Sequence, residues 1–393
     1  MKSPKIRFKG FDGDWEQRKF GETVIIERGG SPRPIDAFIT DDENGLNWVK
    51  IGDAPEQGNY ITKTAEKICP EGLKKTREVH PGDLILSNSM SFGRPYIMAI
   101  DGCIHDGWLL IRDEEKRYDL KFLCQMLGTE QMLAQYRAMA AGSTVNNLNK
   151  ELVGNTEVKV PSIAEQAKIG EYFSKVDDLI TLHQKKFEQL TILKKYMLQK
   201  MFPQNGSDKP EIRFDGFTDD WEQRKVSELF KVTRGYVLAA TLTEPAKTDE
   251  MPYPVYSSQT KDNGLMGYYK DYLYEDAITW TTDGANAGTV NYRAGKFYCT
   301  NVCGVLLSNE VTANQMIAEA LNNVAKGYVS YVGNPKLMNN VMADIEIMIP
   351  THAEEREKLS VFFRNLDNLI TLHQQKCDEL RNAKKFMLQN MFI

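Results

Sequence analysis

Histidine and cysteine are the residue types that most often perform catalysis or bind metal ions, and this 393-residue chain contains few of either. It has five histidines and six cysteines, and Cys103 with His105 is the most closely spaced cysteine–histidine pair. A structural zinc site takes four such ligands at characteristic spacings, so a zinc centre is not indicated. The cysteines are scattered, which argues against a disulfide framework, and we expect them to be buried free thiols.

Motifs of the common catalytic classes are also missing from the sequence. The glycines between 288 and 296 have the wrong spacing for a phosphate-binding loop, and no GxGxxG, HExxH or GxSxG segment occurs. An amino-methyltransferase is expected to contain Asn or Asp followed by two prolines and an aromatic residue, and Asn334-Pro335-Lys336-Leu337 lacks the second proline. We find no self-contained active site, and the sequence favours recognition over catalysis.

The segments that would position recognition residues occur twice. A leading segment at residues 5–19, with Ile-Arg-Phe and Asp-Trp-Glu-Gln-Arg-Lys, returns at residues 211–225. Similarly, Leu-Ile-Thr-Leu-His-Gln at 179–184 returns at 369–374. The chain is therefore two half-molecules in tandem. Two copies are too few for a solenoid, but within one chain they can imitate a two-fold dimer.

Composition restricts the class of protein. The chain is 41% hydrophobic and 26% charged, and we find neither an apolar run long enough to span a membrane nor a signal peptide, so we expect a soluble cytoplasmic protein. The net charge is −5, and no segment is strongly basic. Because phosphate contacts require concentrated Lys and Arg, nucleic-acid binding would have to depend on local patches or on a partner.

Each copy also contains a segment with the heptad spacing of a coiled coil. Apolar residues recur at steps of about four and three over residues 161–203 and 350–393, without an internal proline, which predicts two helices of about 60 Å each. A narrow apolar seam on so long a helix requires another helix, and the nearest candidate is its own duplicate. The seam positions are Ile169, Phe173, Val176, Ile180, His183, Phe187, Leu190, Leu359, Phe363, Leu366, Ile370, His373, Leu380 and Met387.

The recurring histidines could be metal ligands or general bases. Their place in the seam favours a simpler interpretation, in which His183 and His373 form a hydrogen bond between the two helices. The methionines near the helix ends indicate packing or a partner surface.

The blocks between these repeated segments are rich in Gly, Tyr, Asn, Ser and Thr, and their short apolar runs predict strands. Helices are predicted at 120–140 and 313–325. The sequence therefore predicts two mixed α/β (α+β) globular domains with little residue-by-residue similarity. The predicted domains are 1–160 and 211–349, with helical segments at 161–203 and 350–393 and a polar linker at 204–210.

These features together resemble the specificity subunit of type I restriction-modification systems. The resemblance is carried by Phe214-Asp215-Gly216-Phe217-Thr218-Asp219-Asp220-Trp221-Glu222-Gln223-Arg224-Lys225 with its earlier copy, and by the starts of both heptad segments. It spans essentially the whole chain. The second heptad segment departs slightly, since Glu355-Arg356 stands where the first has Glu165-Gln166.

The resemblance implies a subunit without catalysis of its own, in which antiparallel helical spacers hold two target recognition domains apart. Each domain would read one half of a bipartite site in double-stranded DNA. The implied partners are two methyltransferase subunits, which bind S-adenosylmethionine, and two restriction motor subunits, which use ATP and Mg²⁺. No cofactor, metal or membrane contact is expected for this chain.

Within such domains, base edges are read by Arg and Lys at guanine, by Asn and Gln at adenine, and by Ser or Thr at either. The candidates in the first domain are Ser31, Arg33, Lys50, Ser87, Asn88, Ser89, Arg94, Ser143, Thr144, Asn146 and Asn147. The candidates in the second domain are Ser257, Ser258, Gln259, Thr260, Lys261, Thr281, Thr282, Asn286, Lys336, Asn339 and Asn340.

An alternative is a non-enzymatic coiled-coil adaptor that presents two protein-interaction domains. It accounts better for the acidic balance of the chain and equally well for the divergent blocks. A complete DNA methyltransferase or nuclease is disfavoured by the missing motifs.

Overall fold

The computed structural model describes residues 3–88, 92–140, 147–204, 206–258 and 261–393, with the side chains of Lys261 and Asp262 left out. The chain divides into two compact units. Unit 1 comprises Met1–Lys185 with His373–Ile393, and unit 2 comprises Lys186–Leu372. Each unit therefore combines a globular part with pieces of two long helices.

The described residues of unit 1 form twelve strands, most of them short. They are β1 (Glu16–Lys19), β2 (Ile25–Arg28), β3 (Ile39–Thr40), β4 (Leu46–Val49), β5 (Tyr60–Ile61), β6 (Glu66–Ile68), β7 (Arg77–Val79), β8 (Leu84–Ser87), β9 (Pro95–Met98), β10 (Gly102–Ile104), β11 (Trp108–Arg112) and β12 (Glu157–Val160). Ten of them form two five-stranded sheets, ordered β3-β6-β4-β10-β7 and β2-β11-β8-β9-β5. The short apolar runs at 84–86 and 109–111 are fully buried in β8 and β11, which are interior strands of the second sheet.

The helices that begin in unit 1 are α1 (Leu120–Leu127), α2 (Glu130–Ala140), α3 (Lys150–Gly154) and α4 (Ile163–Lys200). The single helix predicted at 120–140 is thus two helices. The break has a local cause, because Gly128 caps the first helix and Thr129 Oγ1 accepts a hydrogen bond from Met132 N at 3.4 Å at the start of the second.

Unit 2 contains one larger sheet and a two-stranded sheet. Its strands are β13 (Glu222–Lys225), β14 (Phe230–Arg234), β15 (Tyr253–Tyr256), β16 (Leu265–Tyr269), β17 (Tyr274–Thr281), β18 (Val290–Cys299), β19 (Cys303–Ser308) and β20 (Glu346–Ile349). The six-stranded sheet is ordered β14-β19-β17-β18-β15-β16. The remaining helices are α5 (Val226–Leu229), α6 (Gln315–Val324), α7 (Asn339–Asp344) and α8 (Ala353–Met391).

The repeated leading segments fasten each globular part to its long helix. In unit 1, β1 pairs antiparallel with β12, which runs directly into α4, and in unit 2, β13 pairs in the same way with β20, which precedes α8. Each two-stranded sheet therefore joins the first and the last strand of its globular part. Trp15 and Trp221, at equivalent places in the repeat, are both buried.

An arginine of each leading segment binds a carboxylate at the start of the helix. Arg7 Nε and Nη2 each donate to Glu165 at 2.7 Å, and Arg213 Nε and Nη2 donate to Glu355 at 2.7 and 2.8 Å. Both glutamate side chains are 1% exposed. The buried carboxylates are thus held by bidentate, charge-assisted hydrogen bonds.

The long helices contain 38 and 39 residues, which confirms the length predicted from the heptad spacing. Within unit 1, Asp177, Ile180 and His183 of α4 contact Lys384, Cys377 and His373 of α8, respectively, so the two segments run antiparallel. Within unit 2, Lys194 of α4 pairs with Asp367 of α8. Every predicted seam residue is buried or half-buried.

The end of each long helix completes the core of the unit in which it lies. Met391 is the last residue of α8, and Phe392 follows it. Both belong to the core of unit 1, where Phe392 stacks against Phe122 with 5.4 Å between ring centroids. Met201 and Phe202, after α4, occupy the corresponding place in unit 2. The methionine-rich ends are therefore packing elements.

Candidate nucleic-acid interface

Several loops of unit 1 converge because of the strand register in its second sheet. Leu109 on β11 pairs with Arg28 at the end of β2, and Trp108 pairs with Ser87 at the end of β8. The ends of β2 and β8 and the start of β11 therefore lie at one edge of the sheet. We call residues 29–34, 88, 105–107 and 147–148 the loop edge of unit 1.

Hydrogen bonds connect these loops to one another. Gly29 N donates to Trp108 O at 2.9 Å, and Asn88 N donates to Gly107 O at 2.9 Å. Asn88 O in turn accepts from Leu148 N at 3.0 Å, although the two residues are far apart in sequence. Asp106 adds side-chain contacts, since its Oδ1 accepts from Ser31 Oγ at 3.0 Å. Hydrogen bonds between the loops therefore hold the loop edge together.

Unit 2 builds the same arrangement from different residues. We call residues 235–237, 282–286, 299–302 and 330–340 the loop edge of unit 2. Gly235 N donates to Cys303 O at 3.0 Å, Thr282 N donates to Val302 O at 3.0 Å, and Leu337 N donates to Thr282 O at 2.9 Å. Each of these bonds has a counterpart in unit 1.

A glycine is required at the first position of both loop edges. A Cβ atom on Gly29 would lie 2.2 Å from His105 O, and one on Gly235 would lie 2.2 Å from Cys299 O. Both distances are far below van der Waals contact, so no other residue fits without moving the backbone. The two globular parts therefore share one backbone frame at their loop edges, although their sequences show little similarity.

The structure places the predicted base readers of unit 1 in three settings. Ser31, Arg33, Lys50 and Asn147 lie on or beside the loop edge, with Arg33 and Asn147 exposed and Lys50 paired with Glu66 at 2.5 Å. Ser87 and Asn88 are buried, and Asn88 Nδ2 donates to Asp106 O at 2.8 Å, so these two side chains brace loops. The guanidinium of Arg94 donates to Glu56 O at 2.8 Å. Ser89, Ser143, Thr144 and Asn146 lie outside the described residues.

The candidates of unit 2 divide in a similar way. Lys336 and Asn340 are exposed on the loop edge, and Asn339 Nδ2 donates to Thr233 O at 3.3 Å. Thr281 and Thr282 are buried, and Thr282 Oγ1 donates to Val302 O at 3.0 Å within the loop edge. Gln259, Thr260 and the side chain of Lys261 lie outside the described residues.

The remaining candidates of unit 2 are Ser257 and Ser258, just after β15, and Asn286 on the loop edge. Asn286 Nδ2 donates to Ser258 O at 3.1 Å, and Thr300 Oγ1 lies 3.0 Å from Ser257 Oγ. Arg293 on β18 donates to the backbone oxygen of Asn263, just before β16, at 2.6 Å, with its guanidinium 3.7 Å from the centroid of the Tyr256 ring. Burial lowers the pKa of Arg293.

The sequence reasoning missed several exposed residues on or beside the loop edges. Arg28 and Arg234 end the equivalent strands β2 and β14, and both are exposed. Tyr331 and Val332 in unit 2 are 71% and 92% exposed. Arg–Gly after a strand in both copies, and apolar residues beside Gly333 and Asn334, are the sequence signals that could have revealed them.

The described part of the chain offers little support for catalysis. Burial raises the pKa of the Cys103 and Cys303 thiols to about 11, which keeps them protonated at neutral pH, whereas reactive cysteines need a lowered pKa. Among the described residues no group of three or more His, Cys, Asp or Glu side chains could hold a metal ion. No helix in these ranges is long and apolar enough to cross a membrane.

Comparisons with known proteins agree with this arrangement. The N-terminus of a predicted type I specificity subunit of Mycoplasma pneumoniae is 40% identical over 126 residues, which cover 31% of this chain and 66% of that protein. The specificity subunit of the type I restriction enzyme MjaVIII of Methanocaldococcus jannaschii is 20% identical over 403 residues, covering 95% of this chain and 90% of that protein. The S subunit of a type I restriction-modification system from M. genitalium has the same fold, with a TM-score of 0.75 at 15% identity and coverage of 100% and 99%.

The chain matches 66%, 46% and 48% of the lengths of three Mycoplasma pneumoniae relatives. A family model described as the type I restriction modification DNA specificity domain matches residues 12–191 and again residues 218–382. Because this model covers most of both halves, the chain belongs to the family of type I restriction-modification DNA specificity domains.

Proposed function

We propose that this chain is the sequence-reading subunit of a type I restriction-modification complex and has no catalytic activity of its own. Each globular part reads one half of a bipartite site in double-stranded DNA, and the long helices set the gap between the halves. The observation that carries the proposal is the pair of loop edges, which have one backbone frame and different exposed side chains. Such a pair can bind two unlike half-sites in equivalent ways.

The acidic balance of the chain requires that partners share the phosphate contacts. With a net charge of −5, the chain alone offers little of the electrostatic attraction on which DNA binding depends. Base edges, by contrast, are read by a few well-placed side chains. We therefore assign sequence reading to this chain and much of the phosphate binding to its methyltransferase partners.

Exposed apolar residues recur on the long helices at duplicated positions. Leu179 and Leu369 are 44% and 43% exposed, and Leu182 and Leu372 are 52% and 57% exposed. Equivalent apolar patches on two copies of a helix support docking of two identical partners. The proposed partners are two methyltransferase subunits, with two ATP-dependent motor subunits joining the complex. S-adenosylmethionine, ATP and Mg²⁺ would be bound by these partners.

DNA selection with the complete complex tests the proposed function. The chain is purified with its methyltransferase subunit and incubated with a random duplex library, and the bound DNA is sequenced after several rounds. We expect enrichment of two short sequences separated by a fixed gap. An intact complex that enriches no sequence would favour the adaptor interpretation.

Native mass spectrometry tests the two equivalent docking sites. Leu182→Glu and Leu372→Glu should each remove one methyltransferase copy, and the double variant should remove both. Lys195→Glu, at another exposed position of α4, serves as a control and should keep both copies. Retention of two copies by the double variant would contradict this assignment.

A further inference from the structure

A polar cluster occurs in each unit where the globular part meets the long helices. In unit 1, Asp177 on α4 accepts a hydrogen bond from Gln125 Nε2 on α1 at 2.9 Å and lies 2.6 Å from Lys384 Nζ on α8. One carboxylate therefore joins the globular part to both helices.

Unit 2 contains the same cluster. Asp367 on α8 accepts from Gln315 Nε2 on α6 at 3.0 Å and lies 2.6 Å from Lys194 Nζ on α4. The aspartates, the lysines and the glutamines are each separated by 190 positions, the offset that also separates His183 from His373. The cluster was therefore duplicated with the chain, although the surrounding globular sequences diverged.

The charged pair of unit 1 is largely buried, and that of unit 2 is half-buried. The side chains of Asp177 and Lys384 are 19% and 18% exposed, and those of Lys194 and Asp367 are 20% and 35% exposed. Charged groups within an apolar helix seam contribute register and orientation more reliably than net stability. Each cluster lies between the globular part and the two helices, so its contacts can set the angle between that part and the helices.

We propose that Gln125–Asp177–Lys384 and Gln315–Asp367–Lys194 are positioning clusters that determine which gap between the half-sites the complex accepts. This inference rests on the proposed function. The aspartate–lysine pair fixes the register of the helices, and the glutamine fixes the globular part to that register. A recognition part without its glutamine contact can rotate on the helices and reach half-sites at neighbouring gaps.

The two clusters differ in their further contacts, which guides the choice of variants. In unit 1, Asp177 Oδ2 also accepts a hydrogen bond from Asn59 Nδ2 at 3.3 Å. Lys194 Nζ also lies 2.7 Å from Glu319 Oε1, whereas unit 1 has Thr129 at the corresponding position. Burial raises the pKa of Asp367 in spite of the nearby Lys194. Because removal of a charged partner would leave an uncompensated buried charge, the neutral glutamine is the informative position in both units.

The test measures gap preference with the full chain in complex with its methyltransferase subunit. The half-sites mapped for the wild type are placed in duplexes at the native gap and at gaps one base pair shorter or longer. Gln125→Leu and Gln315→Leu should each reduce the preference for the native gap by roughly tenfold, since each loses a hydrogen bond to a charged group. The half-site sequences themselves should not change.

A matched control separates positioning from stability. Gln135 Nε2 donates to Glu157 O at 2.9 Å and Gln135 Oε1 accepts from Glu157 N at 2.8 Å, so Gln135→Leu loses amide hydrogen bonds to the backbone without touching a cluster. It should lower the melting temperature and leave the gap preference unchanged. Should Gln125→Leu not fold, Gln125→Asn shortens the side chain while keeping its polarity and should relax the gap in the same direction.

The failures are distinguishable. A wild-type complex that methylates bipartite sites, combined with glutamine variants that keep full gap preference, would overturn the positioning role and leave the proposed function intact. A wild-type complex that methylates no bipartite site would overturn both.

Discussion

At the scale of single residues, the two copies agree most closely where a side chain joins a globular part to a helix. Arg7–Glu165 and Arg213–Glu355 have the same bidentate geometry, and the sequence repeat already contains both arginines. The glutamates could not be paired with them from sequence, because each pair closes across a whole globular domain. A local repeat shows which residues matter but not their partners.

Removal of one of these arginines should be strongly destabilising. Arg213→Met leaves the Glu355 carboxylate, 1% exposed, without its partner, and we expect a loss of about 3–5 kcal/mol in the free energy of unfolding, measured by urea denaturation. Arg224→Ala, which breaks a surface pair with Glu228, should cost less than about 1 kcal/mol. The double variant Arg213→Met/Glu355→Leu should recover most of the loss, and equal losses for Arg213 and Arg224 would contradict the buried-pair account.

Arg234 should contribute to DNA binding through the second recognition part alone. It is exposed at the loop-edge end of β14, and Arg234→Ala should weaken binding of the selected duplex by roughly 1–3 kcal/mol. Lys231→Ala, at the other end of the same strand, is the matched control and should bind normally. Equal effects of the two substitutions in a filter-binding titration would indicate a general charge effect instead of a loop-edge contact.

At the scale of elements, the heptad pattern predicts the long helices well because helical periodicity is a local property of the sequence. It also predicts the contact between the recurring histidines, and the structure confirms it, with His183 Nδ1 and His373 Nδ1 2.8 Å apart. The loop edges were beyond such reasoning. Contacts such as the hydrogen bond from Leu148 N to Asn88 O join segments that are distant in sequence, and no periodic pattern predicts them.

The histidine pair should behave as a coupled unit. One ring donates and the other accepts, so His183→Leu or His373→Leu alone leaves a half-buried nitrogen without its partner, at a cost of about 1–3 kcal/mol. Replacing both should be nearly neutral or stabilising, since two leucines suit an apolar seam. Melting temperatures of the three variants check this, and a double variant whose loss equals the sum of the single losses would rule out coupling.

At the scale of the whole molecule, the sequence predicts domain boundaries at the ends of the globular blocks. The two compact units of the structure instead divide within the long helices. Unit 1 takes the end of α8, and unit 2 takes the end of α4. Met201 and Met391 are buried for this reason, which the methionine pattern alone left open. Each recognition part is therefore completed by residues of the opposite half of the chain.

Two independent readers that share one frame can be exchanged one at a time, and long-read methylation mapping measures the result. Residues 20–160 are replaced by the corresponding block of another family member, and the methylated sites are mapped in a host that expresses the chain with its methyltransferase subunit. We predict that one half-site changes while the other half-site and the gap stay the same. A motif in which both halves change, or in which neither does, would contradict independent reading by the two globular parts.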